Sequence, residues 1–125
     1  MIRWIAAMKS AGIDVGKVPV TGQDAELAAI QRILVGEQYM TVYKPVKPLA
    51  DKAAEWAVGL VQGKKPTDTN TTEDNGQVKV PTLKIDVMPV TKDKVAETVI
   101  ADGYWKAADV CKGEYADACS ELGIE

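Results

Sequence analysis

The stretch that most constrains this chain is residues 18–45, VPVTGQDAELAAIQRILVGEQYMTVYKP, because its apolar spacing changes twice. Val18 and Val20 flank Pro19 in a short apolar run that opens after Gly16. Pro19 suits a strand edge or a strand start. Leu27, Ala28, Ile30, Ile33 and Leu34 then recur at helical spacing, with Glu26, Gln31 and Arg32 between them. Gly36 closes that helix. Met40 and Val42, interleaved with Tyr39, Thr41 and Tyr43, predict a second strand, buried largely on both sides. The reading is strand over 17–21, turn at Gly22-Gln23-Asp24, helix, strand. Asp24 is placed to cap the helix, where a carboxylate suits the positive end of the dipole.

A right-handed strand–helix–strand unit runs both strands the same way. Asp24 follows the carboxyl end of the first strand and Lys44 that of the second, so both emerge at one rim. In open α/β sheets that rim is where ligands bind. Neighbouring strands lie about 5 Å apart. Asp24 accepts hydrogen bonds and Lys44 donates them, which suits a polyhydroxylated ligand. Tyr39, Tyr43 or a Trp is a candidate apolar platform for a sugar ring. Two other readings stay open: Asp24 as a helix cap beside a surface lysine, and a catalytic Asp–Lys pair. The chain has no histidine, which removes the usual general base and the commonest metal ligand. It has no G-x-S-x-G segment, and Gly12, Gly16 and Gly22 form no phosphate-binding fingerprint. No enzyme activity, cofactor or metal is expected. Asp86 reads as a solvated strand edge rather than a further rim acid.

The flanking segments follow the same logic. Ile2, Ile5, Ala6 and Met8 predict a short helix over 2–11, ended by Gly12. Pro45 stops the second strand, and Pro48 suits a helix's first turn. Leu49, Ala53, Trp56, Ala57, Leu60 and Val61 then form an apolar stripe, which predicts a core role for Trp56. Residues 64–77 are polar and turn-rich and read as a surface loop. The Asn70-Thr71-Thr72 sequon within it reads as chance. Residues 78–90 are extended. Thr91 and Asp93 start a helix carrying Val95, Val99 and Ile100, and the tail over 104–122 makes one or two short helices. Such alternation predicts an α/β layered fold with mostly parallel strands. A sheet of three or four strands leaves apolar helix faces exposed unless another chain or segment covers them. The chain therefore reads as part of a larger protein.

At 125 residues it is one domain or less. Its net charge of −3 argues against nucleic acid, which favours a basic face. No apolar run approaches the roughly 20 residues that span a bilayer. The start, MIRWIAAMKSAG, is cut by Lys9 and reads as an amphipathic helix, with no signal peptide expected in this chain. Cys111 and Cys119 lack metal partners and the C-x-x-C spacing. An unbroken helix would hold them about 12 Å apart, so a disulfide requires Gly113 to break the helix. A disulfide and two unlinked, partly buried thiols both remain open.

Residues 5–104 resemble the C-terminal part of periplasmic sugar-binding proteins of ABC importers. The match is to the D-xylose and multiple-sugar-binding branch of the ribose-binding-like family. The residues that carry it are AAMKSAGIDVGKVPVTGQDAELAAIQRI, GEQYMTVYKPVKPLADKAAEWAVGLVQGKKP, DNGQVKVP and PVTKDKVAETVIADGYW. The resemblance implies a partial periplasmic-binding-protein type I fold, with a parallel sheet flanked by helices. In that fold two α/β lobes joined by three hinge crossings close over an aldose. Asp24 matches the ligand-binding aspartate of the G-Q-D segment, and Lys44 the ligand-binding lysine of the T-V-Y-K segment. Residues 1–43 and 90–125 would belong to the C-terminal lobe, and residues 44–89 to a hinge and the N-terminal lobe. The implied partners are an aldopentose or aldohexose such as xylose and, through the full-length receptor, the importer's membrane subunits. The implied location is periplasmic or extracellular, membrane-tethered in the parent protein. The family continues upstream with its first lobe, most of its second and an N-D-G sugar-contact segment. This chain thus reads as a shortened reading frame or one piece of a complementing pair. Assembly with another chain, as in a domain-swapped homo-oligomer, would cover the exposed faces. The alternative is an interaction fragment that binds a sensor or a receptor half and no sugar on its own.

Overall fold

A computed structural model describes residues 2–124, with side chains from Trp4 onward. Met1, Glu125 and the side chains of Ile2 and Arg3 lie outside the described residues, so the apolar role expected of Ile2 does too. The chain divides into two compact units, residues 1–44 with 88–125, and residues 45–87.

The first unit opens with helix α1 (Ile2–Ser10), on which Ile5 is buried. The first strand lies later than its apolar residues suggest. Asp14 accepts a hydrogen bond from the Gly16 amide and winds Val15–Lys17 into a 3-10 turn, so β1 is Thr21–Gln23. Helix α2 (Leu27–Leu34) buries Ile30, Ile33 and Leu34 as its periodicity predicts, with Ala29 buried beside them and the predicted Leu27 and Ala28 half-buried. Gly36, at φ +78, turns the chain so that the Glu37 amide reaches back to the Arg32 carbonyl, a Schellman closure. Strand β2 (Met40–Tyr43) falls where predicted, with Thr41 and Tyr43 buried and Met40 and Val42 half-buried.

β1 and β2 pair in parallel, Gly22 opposite Thr41. The third strand of this sheet is β5 (Met88–Val90), antiparallel to β2 with Val42 opposite Pro89. The order β1-β2-β5 leaves Pro89 on an edge strand, where a residue without an N–H is tolerated. The class is mixed α/β, but among the described residues only the β1–β2 pairing is parallel, fewer than the alternation predicts. The path from β2 to β5 passes through the second unit rather than through a single crossover helix, so β5 need not run with β2.

After β5 the expected helix is irregular. A 3-10 turn (Lys92–Lys94) leads into a π-helical segment (Ala96–Ile100) that buries Val99, with Val95 buried between them. The buried Thr98 hydroxyl donates to the Lys94 carbonyl, the bond a regular helix gives to an amide. The Ile100 and Ala101 amides accordingly reach back five residues, to Val95 and Ala96. The tail carries α4 (Ala107–Val110) and α5 (Ala116–Glu121). Gly113, at φ +66, breaks the helix, and Cys111 and Cys119 form a disulfide with Cα atoms 5.7 Å apart. Ile30, Leu34, Tyr43, Val90, Val99, Val110 and Cys119 meet in one core.

The second unit holds α3 (Val46–Val61), β3 (Thr71–Asp74) and β4 (Lys79–Thr82). β3 and β4 pair antiparallel within what the sequence reads partly as a loop. Asn75 and Gly76 make the turn: the Asn75 carboxamide oxygen accepts from the Gln77 and Val78 amides. The sequon residue Asn70 is engaged twice with the Lys84 backbone, donating to its carbonyl and accepting from its amide, each at 2.8 Å. The core role predicted for Trp56 is not realised. No residue of α3 is fully buried, and Leu49, Leu60 and Val61 on the predicted stripe are exposed. Trp56 is half-buried, and its indole N–H donates to Asp68 at 2.8 Å. A two-stranded hairpin is too small to bury a 16-residue helix. Asp68 also pairs with Lys52, whose hydrogen bond holds its carboxyl below the usual range.

Candidate functional site

Asp24 follows β1 and Lys44 follows β2, at the carboxyl ends of the parallel pair. Their side chains meet: Lys44 Nζ donates to Asp24 Oδ1 at 2.7 Å, and both remain about half exposed. The pair is thus a preformed donor–acceptor couple that solvent reaches.

The helix-cap reading of Asp24 fails. α2 begins at Leu27 with Glu26 as its flanking residue, and no side chain caps it. The Glu26 carbonyl takes the first helical amides instead, from Ala29 and Ile30. Asp24 and Ala25 both adopt left-handed backbone, at φ 74 and 47. They are the two non-glycine residues with positive φ among the described residues. An aspartate visits this region more readily than most residues, whereas an alanine there costs roughly 1–2 kcal/mol. This double turn carries the chain off the strand before the helix starts and leaves the Asp24 carboxylate free for Lys44.

The turn is tied on both sides. The Asp24 amide donates to the Val42 carbonyl at 2.8 Å, extending the ladder one residue past β1. The Ala25 amide donates to the hydroxyl of the buried Thr41 at 3.3 Å. From the far end of the chain, the Tyr104 hydroxyl donates to the Asp24 carbonyl at 3.3 Å and the Trp105 indole N–H to the Ala25 carbonyl at 2.8 Å. The Tyr104 ring lies between Tyr43 and Trp105, with centroids 5.1 and 5.4 Å away. Burial, followed by a hydrogen bond to Asp102, pushes the Tyr43 phenol above its ordinary pKa.

The expected sugar platforms are differently placed. Tyr43 is buried, its ring packed against that of Tyr104. Tyr39 is exposed but precedes β2, at the strand's opposite end from Lys44. There it joins Val18, Pro19, Gln38 and Lys92 around a shallow groove of about 610 Å³. Asp86 is exposed and belongs to the second unit. Thr41, Tyr104 and Trp105 carry no local sequence signal. Tyr104 and Trp105 lie 80 residues from the turn they bond, so only the folded chain brings them together. Among the described residues no cluster of three or more His, Cys, Asp or Glu is placed to hold a metal ion. No helix among them is long and apolar enough to cross a membrane.

No protein-family model matches the chain. Structural likeness defines the class first. The chain superposes on a carbohydrate transporter solute-binding protein of Chloroflexus aurantiacus, solved in complex with D-glucose, with a TM-score of 0.68 and 43% identity. That match covers 73% of this chain and 26% of the other. The sequence relatives are more particular. A D-xylose-binding periplasmic protein of Haemophilus influenzae is 49% identical over 100 residues, 80% of this chain and 30% of that protein. The multiple sugar-binding periplasmic receptor ChvE of Rhizobium radiobacter is 35% identical over 107 residues, 82% of this chain and 30% of the receptor. The chain is therefore homologous to part of the periplasmic sugar-binding proteins, in their D-xylose and multiple-sugar-binding group, and spans about a third of their length. These relatives are named as sugar-binding periplasmic proteins, and they lend no support to the alternative of an interaction fragment that binds no sugar.

Proposed function

We propose that this chain is a sugar-contacting part of a solute-binding protein that delivers a monosaccharide to an ABC importer. The observation that carries the reading is the Asp24–Lys44 pair at the carboxyl rim of the parallel strands β1 and β2. The acceptor and donor meet there, and a sugar hydroxyl that both donates and accepts can bridge them. Asp24 accepts from sugar hydroxyls and Lys44 donates to them, and both bonds are strengthened by charge. The ligand is an aldopentose or aldohexose, with D-xylose the first choice because the Haemophilus influenzae relative is named for it. No reaction is performed on it.

The unit of residues 1–44 and 88–125 supplies the portion from one lobe, and residues 45–87 the portion from the other, with the polypeptide crossing at Lys44–Pro45 and Val87–Met88. The importer's membrane subunits are the partners of the assembled receptor. The location is periplasmic or extracellular, which fits both the names of the relatives and a Cys111–Cys119 disulfide, a bond that persists in oxidising compartments.

Calorimetric titration with D-xylose, D-glucose, D-ribose and L-arabinose tests the reading. Asp24→Ala should weaken binding of the preferred sugar by about 1–3 kcal/mol, because the hydroxyls it served are left unpaired. Unchanged affinity in Asp24→Ala would remove Asp24 from the site.

A further inference from the structure

The left-handed turn at Asp24 and Ala25 fixes where the Asp24 carboxylate points. A return of Asp24 to ordinary negative φ would turn its side chain away from Lys44. Neither residue is a glycine, so the conformation persists only where surrounding structure over-determines it. Four hydrogen bonds do this. One, from the Asp24 amide to the Val42 carbonyl, is ordinary ladder pairing. The other three are made by side chains that bond the backbone rather than the carboxylate: Thr41, which accepts from the Ala25 amide, and Tyr104 and Trp105, which donate to the Asp24 and Ala25 carbonyls. Each peptide group of the turn is thereby held by a partner from another part of the chain. Ala25 is itself fully buried, so its amide and carbonyl have no water to fall back on.

We infer that Thr41, Tyr104 and Trp105 are positioning residues that lock the Asp24–Ala25 turn and so aim the Asp24 carboxylate at Lys44 and at the ligand both would share. The functional consequence rests on the sugar-binding reading above. The locking itself does not. The C-terminal segment would then tune affinity through the backbone of the turn.

The test uses Trp105→Phe, which keeps a ring in place and deletes the N–H donor. Amide hydrogen exchange is compared with the unsubstituted chain, and D-xylose affinity is measured alone and with Asp24→Asn added. The Asp24 and Ala25 amides should exchange about tenfold faster, the share of one lost hydrogen bond, while Ile33 and Leu34 in α2 are unchanged. Affinity should fall by a similar factor, and Trp105→Phe should cost nothing further once Asp24→Asn is present, because it acts through that carboxylate. Unchanged exchange at Asp24 and Ala25, equal acceleration throughout α2, or additive affinity losses would each overturn the inference. Should the unsubstituted chain bind no sugar, the sugar reading falls and exchange at the two amides alone decides the locking. Thr41→Val, which removes the acceptor of the Ala25 amide at nearly constant volume, carries the same expectations if Trp105→Phe does not fold.

Discussion

Tyr43 is a strand residue whose phenol is buried beside Asp102 and under the Tyr104 ring. Burial disfavours the phenolate, and Asp102 disfavours it further, so the folded state holds a proton that the unfolded chain releases near pH 10. A pKa raised on folding contributes stability below the unfolded value and loses it as pH rises through the folded one. Thermal unfolding followed from about pH 9 to 11 should therefore show a steeper fall in melting temperature for the unsubstituted chain than for Tyr43→Phe. Parallel curves would contradict the buried, neutral phenol. At this scale the sequence was informative about identity but not about conformation. Strand periodicity put Asp24 and Lys44 at one rim, and the structure joins them at 2.7 Å. Nothing in G-Q-D-A-E-L signals that Asp24 and Ala25 adopt positive φ, since neither is a glycine and the bonds that hold them come from residues 80 positions away.

Among the elements, α2 and β2 were legible because their apolar residues repeat with a single clear period and end at Gly36 and Pro45. Elements shaped by side-chain-to-backbone bonds were not. Asp14 shifts β1 toward the rim, and Thr98 converts a helix into a π-helical segment. β3 was missed because Thr-Thr-Glu-Asp is polar, although the following Asn-Gly is a recognised hairpin turn signal. The C-terminal disulfide was one of two open readings. It closes across a helix break and anchors Cys119 in the core of the first unit. Cys111→Ser with Cys119→Ser should destabilise that unit by about 2–3 kcal/mol in chemical denaturation, and reduction of the unsubstituted chain should match it. Equal midpoints before and after reduction would show that the closed loop adds nothing to stability.

For the molecule as a whole, the decisive fact is an unequal distribution of burial. The first unit has a continuous core, whereas Leu49, Leu60 and Val61 on the α3 stripe in the second stay exposed. An apolar helix face of this kind marks a surface that another segment covers, and the relatives are about three times as long as the matched region. The sequence stripe on α3 was therefore read correctly as apolar and wrongly as core, because periodicity reports what a face requires and not whether this chain supplies it. Light scattering across a concentration series should show association beyond the 13.4 kDa monomer, reduced when Leu60 and Val61 are replaced by serine. A monomer at every concentration would contradict that expectation. The most direct test of the central claim is an NMR titration of the isotopically labelled chain with D-xylose, which reports the contact residue by residue. The shifts should centre on Asp24, Ala25 and Lys44 and vanish in Asp24→Ala. Shifts confined to other residues, or none at any sugar concentration, would contradict the assignment of the Asp24–Lys44 pair as the sugar contact.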